Sequence, residues 1–84
     1  MDIHLARPTR VDVRDMQCAQ ALAQVSHAVK PLALGQALEV LGNAPDVRDD
    51  VLIWARELGH AVLKVQAHND DWVVAIRKGR DADA

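Results

Sequence analysis

Arg10-Val11-Asp12-Val13-Arg14 alternates polar and apolar side chains, whereas between Ala19 and Lys30 the apolar residues Leu22, Val25 and Val29 recur at spacings of three and four. A period of two sends successive side chains to opposite faces of a strand, and spacings of three and four line one face of a helix. The change of period predicts a half-buried strand followed directly by an amphipathic helix, with Gln20, Gln24 and His27 turned to water. Pro31 lacks an N–H and disfavours helical geometry in the residue before it, so it stops that helix.

Working outward, Ala37 to Leu41 reads as a second strand, entered from a loop through Gly35 and left at Gly42-Asn43. Pro45 suits the first turn of a second helix. Asp46, Asp49 and Asp50 follow, where negative charge complements the helix dipole. Val47, Val51, Trp54 and Leu58 share a helical face, and Gly59 is placed to terminate it. Ala61 to His68 and Trp72 to Lys78 read as strands joined by Asn69-Asp70, residues that tolerate the positive φ of a tight hairpin. The expected order is strand, helix, strand, helix, strand, strand. It implies an α/β (α+β) two-layer sandwich, a four-stranded mixed sheet with both helices on one face and the other face open to water.

The chain has 84 residues and suits one domain spanning 1–84, with flexible ends at 1–8 and 80–84. A domain of this size buries only roughly 60–65% of its unfolded surface. Half of the residues are apolar but none is Phe or Tyr, so the core falls to Leu, Val, Ile and Ala, with Trp54 and Trp72 as the large fillers. A net charge of −2 argues against holding nucleic acid by bulk electrostatics. No apolar run approaches the about 20 residues that span a bilayer, and Met1 to Arg10 carries charges and a proline where a secretory signal would be apolar. The expectation is a cytoplasmic protein that binds neither membrane nor nucleic acid directly.

Cys18 is the one cysteine, which excludes an internal disulfide. It falls at the strand-to-helix turn. First-turn N–H groups lack intrahelical partners, and the helix dipole adds partial positive charge there; both favour a thiolate, the nucleophilic form of the sulfur. Arg14 could add positive charge if its side chain folds back. Against this stands the tendency of free cysteine to serve as a small buried hydrophobe.

Asp12-Val13-Arg14-Asp15-Met16-Gln17-Cys18-Ala19-Gln20-Ala21 resembles the signature Asp-x-Arg-Gly-x-x-Cys-Pro-x-Pro of the TusA (SirA-like) family. Further on, Leu38-Glu39-Val40, Asn43-Ala44-Pro45 with Asp50-Val51, Gly59-His60-Ala61-Val62-Leu63 and Ile76-Arg77-Lys78-Gly79 resemble that family's later segments. The likeness runs from about Arg10 to Gly79. It implies a sulfur carrier of sulfurtransferase type, with a persulfide on Cys18, Arg14 and Asp12 in support, and no bound cofactor. A cysteine desulfurase or rhodanese would donate the sulfur. A downstream acceptor protein would take it towards tRNA thiolation, molybdenum cofactor or sulfur metabolism. Asp15 stands where the family has Gly, and Ala19 and Ala21 stand where it has Pro. Asp15 opposes thiolate formation if its side chain points towards the sulfur, while Ala19 restores a backbone donor. These departures motivate the alternative, a divergent fold serving as a non-catalytic binding or regulatory module.

His4, His27, His60 and His68 show no i,i+4 pairing and no Cys-x-x-Cys companion, so surface or loop positions and no metal site are expected. His60 also has the resemblance to the family's Gly-His turn. Arg77, Lys78 and Arg80 read as a solvated strand end, and the two tryptophans as core.

Overall fold

The computed structural model describes residues 9–79, so His4, Arg80 and the expected flexible ends lie outside the described residues. Six elements follow in chain order: β1 (Thr9–Asp12), α1 (Cys18–Val29), β2 (Ala37–Gly42), α2 (Pro45–Glu57), β3 (Ala61–His68) and β4 (Asp71–Arg77). The sheet order is β1-β2-β4-β3. β1 runs parallel to β2, and β4 runs antiparallel to both β2 and β3. β4 thus lies between the two strands that α2 connects. Because β1 and β2 are parallel, their carboxyl ends share one edge of the sheet, and both helices begin there.

Register decides which side chains meet the helices. Leu38 pairs with Ile76, Val40 with Val74 and Gly42 with Trp72, so these residues share one sheet face. All of them are buried, as are Ala21, Val25 and Val29 of α1 and Val47, Val51 and Ala55 of α2, and the apolar ones form one core cluster. Both helices therefore cover the same face, giving the expected two-layer sandwich. The contact stripes are rotated from those the spacing predicted. Ala21 is fully buried and Leu22 only partly so, while on α2 Ala55 is buried, Trp54 is half-buried and Leu58 is exposed. Small side chains at the closest approach let each helix settle nearer the sheet.

Local chemistry sets the ends. Gly59 has φ +81°, Gly59 N–H donates to Arg56 O at 3.2 Å and His60 N–H donates to Ala55 O at 2.8 Å. This pair of bonds satisfies carbonyls that the last turn of α2 would leave unpaired. Asn69-Asp70 forms the two-residue hairpin between His68 and Asp71, with Asn69 at φ +57°. Trp72 is 3% exposed and its indole N–H donates to Ala44 O at 3.0 Å. Its ring lies over Gly42, where any Cβ would fall inside the indole.

One expectation is corrected here. Lys78 is not solvated: it is 4% exposed, and its ammonium donates to Lys30 O at 3.0 Å and Leu32 O at 2.7 Å. The cation sits at the carboxyl end of α1, where the dipole and the unpaired carbonyls favour positive charge. His60 lies in the expected loop after Gly59 and is buried there beside Trp54, with ring centroids 5.3 Å apart, and its Nδ1 accepts from Gly79 N–H at 3.1 Å. His27 and His68 are exposed as expected.

Candidate functional site

The loop between β1 and α1 is tied down from both sides. Val13 N–H donates to Leu41 O at 2.8 Å, extending the pairing with β2 by one residue. Asp15 then turns the chain with φ +64°, the left-handed region that glycine enters freely and aspartate tolerates better than most residues. That geometry accounts for a glycine in the signature at this position. Here Asp15 is held by a reciprocal pair of bonds, its N–H donating to Asn43 Oδ1 at 3.0 Å and its Oδ1 accepting from Asn43 Nδ2 at 2.9 Å.

Asp12 and Arg14 form a closed pair at the mouth of this loop. Asp12 Oδ1 accepts from Arg14 N–H at 3.0 Å and from Nε at 3.1 Å, and Oδ2 accepts from Nη2 at 2.8 Å. Arg14 Nη1 also lies 3.6 Å from Asp71 Oδ2. The guanidinium beside it holds the Asp12 carboxyl below its ordinary value, and Arg14 is pushed up in turn. Asp12 therefore fixes the loop by hydrogen bonding. Arg14 is committed to two carboxylates, and it is not among the groups that shift the Cys18 thiol.

Cys18 is the first residue of α1, partly exposed, with its side chain against the edge of the core. Gln17 before it makes no side-chain cap. The thiol's own N–H favours the thiolate, as the helix-start position predicts, but stronger influences oppose it. The Asp50 carboxylate, as an acceptor towards the thiol, has the largest effect; burial and the charges of Asp50 and Asp46 act in the same direction. The thiol is held above its ordinary range.

Asp50 is the site residue that sequence reading did not assign. It was grouped with Asp46 and Asp49 as a complement to the dipole of α2, but only Asp46 lies in the first turn. Asp49 pairs with Arg48 at 3.1 Å. Asp46 and Asp50 are four apart on α2 and so share a side of it. That spacing was the available signal; it acquires meaning only once α2 is known to pack beside α1. The Asp15 side chain does not point to the thiol: its carboxylate accepts from Asn43. Ala21, in a proline position of the signature, is fully buried in the core. Among the described residues no group of three or more His, Cys, Asp or Glu could hold a metal ion. No helix among them is long and apolar enough to cross a membrane.

The arrangement is a two-layer α/β sandwich presenting one thiol at a helix start, on the edge where two parallel strands end. The profile of the family described as "Sulfurtransferase TusA" matches residues 9–78, and the chain belongs to the TusA family of sulfur carriers. Two similar proteins carry the name "Putative sulfur carrier protein". The one from Archaeoglobus fulgidus is 26% identical over 68 residues, 81% of this chain and 93% of that protein. The one from Aquifex aeolicus is 25% identical over 72 residues, 86% of this chain, which spans only 36% of that protein's length. Among solved structures, an rRNA methylase from Streptococcus thermophilus superposes with a TM-score of 0.57 at 15% identity. The match covers 92% of this chain and 51% of that one, and it speaks for the fold alone.

Proposed function

We propose that the protein is a cytoplasmic sulfur carrier that accepts sulfane sulfur as a persulfide on Cys18. Asp12 and Arg14 act in support by holding the loop that presents it. The observation that carries the reading is the placement of the chain's one thiol, partly exposed, on the first residue of α1 in a fold whose family carries sulfur. The donor is a cysteine desulfurase or a rhodanese bearing its own persulfide. The Cys18 sulfur attacks the donor's outer sulfur, the donor's S–S bond breaks, and its electron pair leaves on the donor cysteine. The proton lost by Cys18 ends on that leaving thiolate, so the exchange needs no external oxidant. A relay acceptor then takes the outer sulfur by the same exchange, towards tRNA thiolation, molybdenum cofactor or sulfur metabolism.

The test is intact mass after incubation with cysteine and a cysteine desulfurase. A reducible gain of one sulfur atom, lost in Cys18→Ser, supports the carrier; no adduct with desulfurase, rhodanese or a chemical persulfide donor refutes it. A second reading, a binding or regulatory module on the same fold, is favoured by the departures from the signature around the thiol: Asp15 at a glycine position, and Ala19 and Ala21 at proline positions.

A further inference from the structure

Cys18 opens α1 with no side-chain cap before it, so the position of its sulfur depends on what holds residues 13 to 17. Val13 N–H donates to Leu41 O at 2.8 Å, the last bond of the pairing with β2. Beyond it, Arg14 turns back to Asp12, and Met16 N–H donates to Val13 O at 3.3 Å inside the loop. Arg14 Nη1 and Asp71 Oδ2 are 3.6 Å apart, beyond hydrogen-bond length. The hydrogen bonds that cross from the loop to the connection between β2 and α2 are those between Asp15 and Asn43, at 3.0 and 2.9 Å. Asn43 has a fixed base. The Trp72 ring lies over Gly42 before it, and the Trp72 indole N–H donates to Ala44 O after it at 3.0 Å. Trp72 is itself buried on β4, so the loop is tied through Asn43 to the interior of the sheet. The side chain at 43 accepts from a backbone N–H and donates to a carboxylate, a pair of tasks that an amide can perform and a carboxylate cannot.

We propose that Asn43 is a positioning residue for Cys18: with Asp15 it clasps the loop before α1 to the connection between β2 and α2, and so fixes where the sulfur stands when a donor's persulfide arrives. The clasp is a property of the free chain; its bearing on transfer rests on the carrier reading. Transfer needs such control because the attacking sulfur must approach in line with the bond that breaks. The Cys18 sulfur bonds to the donor's outer sulfur and the donor's S–S bond breaks. The electron pair leaves on the donor cysteine, which takes the proton that Cys18 gives up. A displaced sulfur slows this step within the docked pair, while docking, made by the surrounding surface, is unchanged. The turn adds its own demand: φ +64° is unfavourable for a residue with a side chain, and the bonds to Asn43 offset that cost.

The test follows persulfide loading of the full chain by a cysteine desulfurase, with the chain varied as sulfur acceptor so that kcat and KM separate. Asn43→Ala loses both bonds, and Asn43→Asp sets a second carboxylate against Asp15. Each is expected to lower kcat by roughly tenfold with KM within about twofold of wild type. The double variant Asp15→Asn with Asn43→Asp exchanges donor and acceptor, keeping both bonds, the net charge and a residue tolerant of positive φ. It should recover kcat to within about threefold of wild type, and urea midpoints confirm that each variant is folded. Lys78→Met, altered at the other end of α1, should load at the wild-type kcat below its melting temperature, which separates position from stability. Wild-type kcat in Asn43→Ala overturns the proposal, as does a folded double variant no faster than Asn43→Asp. A fall in Lys78→Met as large as in Asn43→Ala overturns it too. If wild type gains no sulfur, the carrier reading fails and the positioning of transfer fails with it. The clasp is then judged by amide exchange at residues 14–18: it stands if exchange is faster in Asn43→Ala and restored in the double variant, and falls if all three are equal.

Discussion

Replacing Lys78 by Met removes an ammonium group from two carbonyl oxygens while keeping most of a buried, unbranched stem. The ammonium donates to Lys30 O at 3.0 Å and to Leu32 O at 2.7 Å, at the carboxyl end of α1. Hydrogen bonds to charged groups contribute about 1.5–3 kcal/mol each, and a cation at a helix carboxyl end adds about 0.3–2 kcal/mol. Against this, Met no longer bears the several kcal/mol that desolvating an ammonium costs. The expected net loss is about 2–4 kcal/mol. That is a large share of the about 4–13 kcal/mol to be expected of an 84-residue chain. Unfolding entropy of about 0.18 kcal/mol per kelvin for this length converts a 3 kcal/mol loss into a Tm lower by about 17 °C.

Urea unfolding followed by tryptophan fluorescence and circular dichroism measures the loss, with an unchanged m-value showing that the folded state is equally compact. Amide exchange should rise in the last turn of α1 before it rises in the sheet. Arg77→Met, on the exposed neighbour, should change stability by less than about 0.5 kcal/mol. The reasoning is refuted if Lys78→Met unfolds within about 0.5 kcal/mol of wild type.

Other outcomes follow from the same geometry. Gly42→Ala drives a methyl into the Trp72 indole and should cost about 1–3 kcal/mol by urea unfolding, with a changed tryptophan emission maximum. Asp15→Ala loses both the tolerance for φ +64° and the paired bonds to Asn43, so a loss of about 1–2 kcal/mol is expected, with Asp15→Gly recovering part of it. Asp12 is held below its ordinary value of 3.8, chiefly by the hydrogen bond from Arg14. Its contribution is therefore present above that value and is lost as pH falls through the folded one; Asp12→Asn should flatten the acid limb of stability against pH. The Cys18 thiol is held above its ordinary value, so its contribution is present below that value and fades as pH rises through the folded one. Cys18→Ser should flatten the alkaline limb.

The elements were legible because their signals are local. Alternation in Arg10 to Arg14, Pro31 after a helical stripe, Pro45 at a helix start and Gly59 at a helix end each act within one turn of chain. The structure moves the boundaries by no more than a residue or two. The stripes were less legible: spacing marked Leu22 and Leu58 as inward, but close approach to the sheet selected Ala21 and Ala55. Cys18, Asp12 and Arg14 could be singled out because they lie within one loop and one helix start. The direction of the Arg14 side chain was not legible there; Asp12 two residues earlier offers it a forked carboxylate within immediate reach.

By itself, then, the sequence determined the order and type of the six elements and the presence of a lone thiol at a helix start, because hydrophobic period and turn chemistry are written in neighbouring residues. Only the tertiary structure decided what surrounds that thiol. Asp50 lies far along the chain from Cys18, and its carboxylate bears on the thiol because parallel β1 and β2 set the starts of both helices on one edge. The same holds for Lys78 on the end of α1 and for His60 against Gly79. Charge and hydrogen bonding act over a few ångströms of space, whatever the separation in sequence.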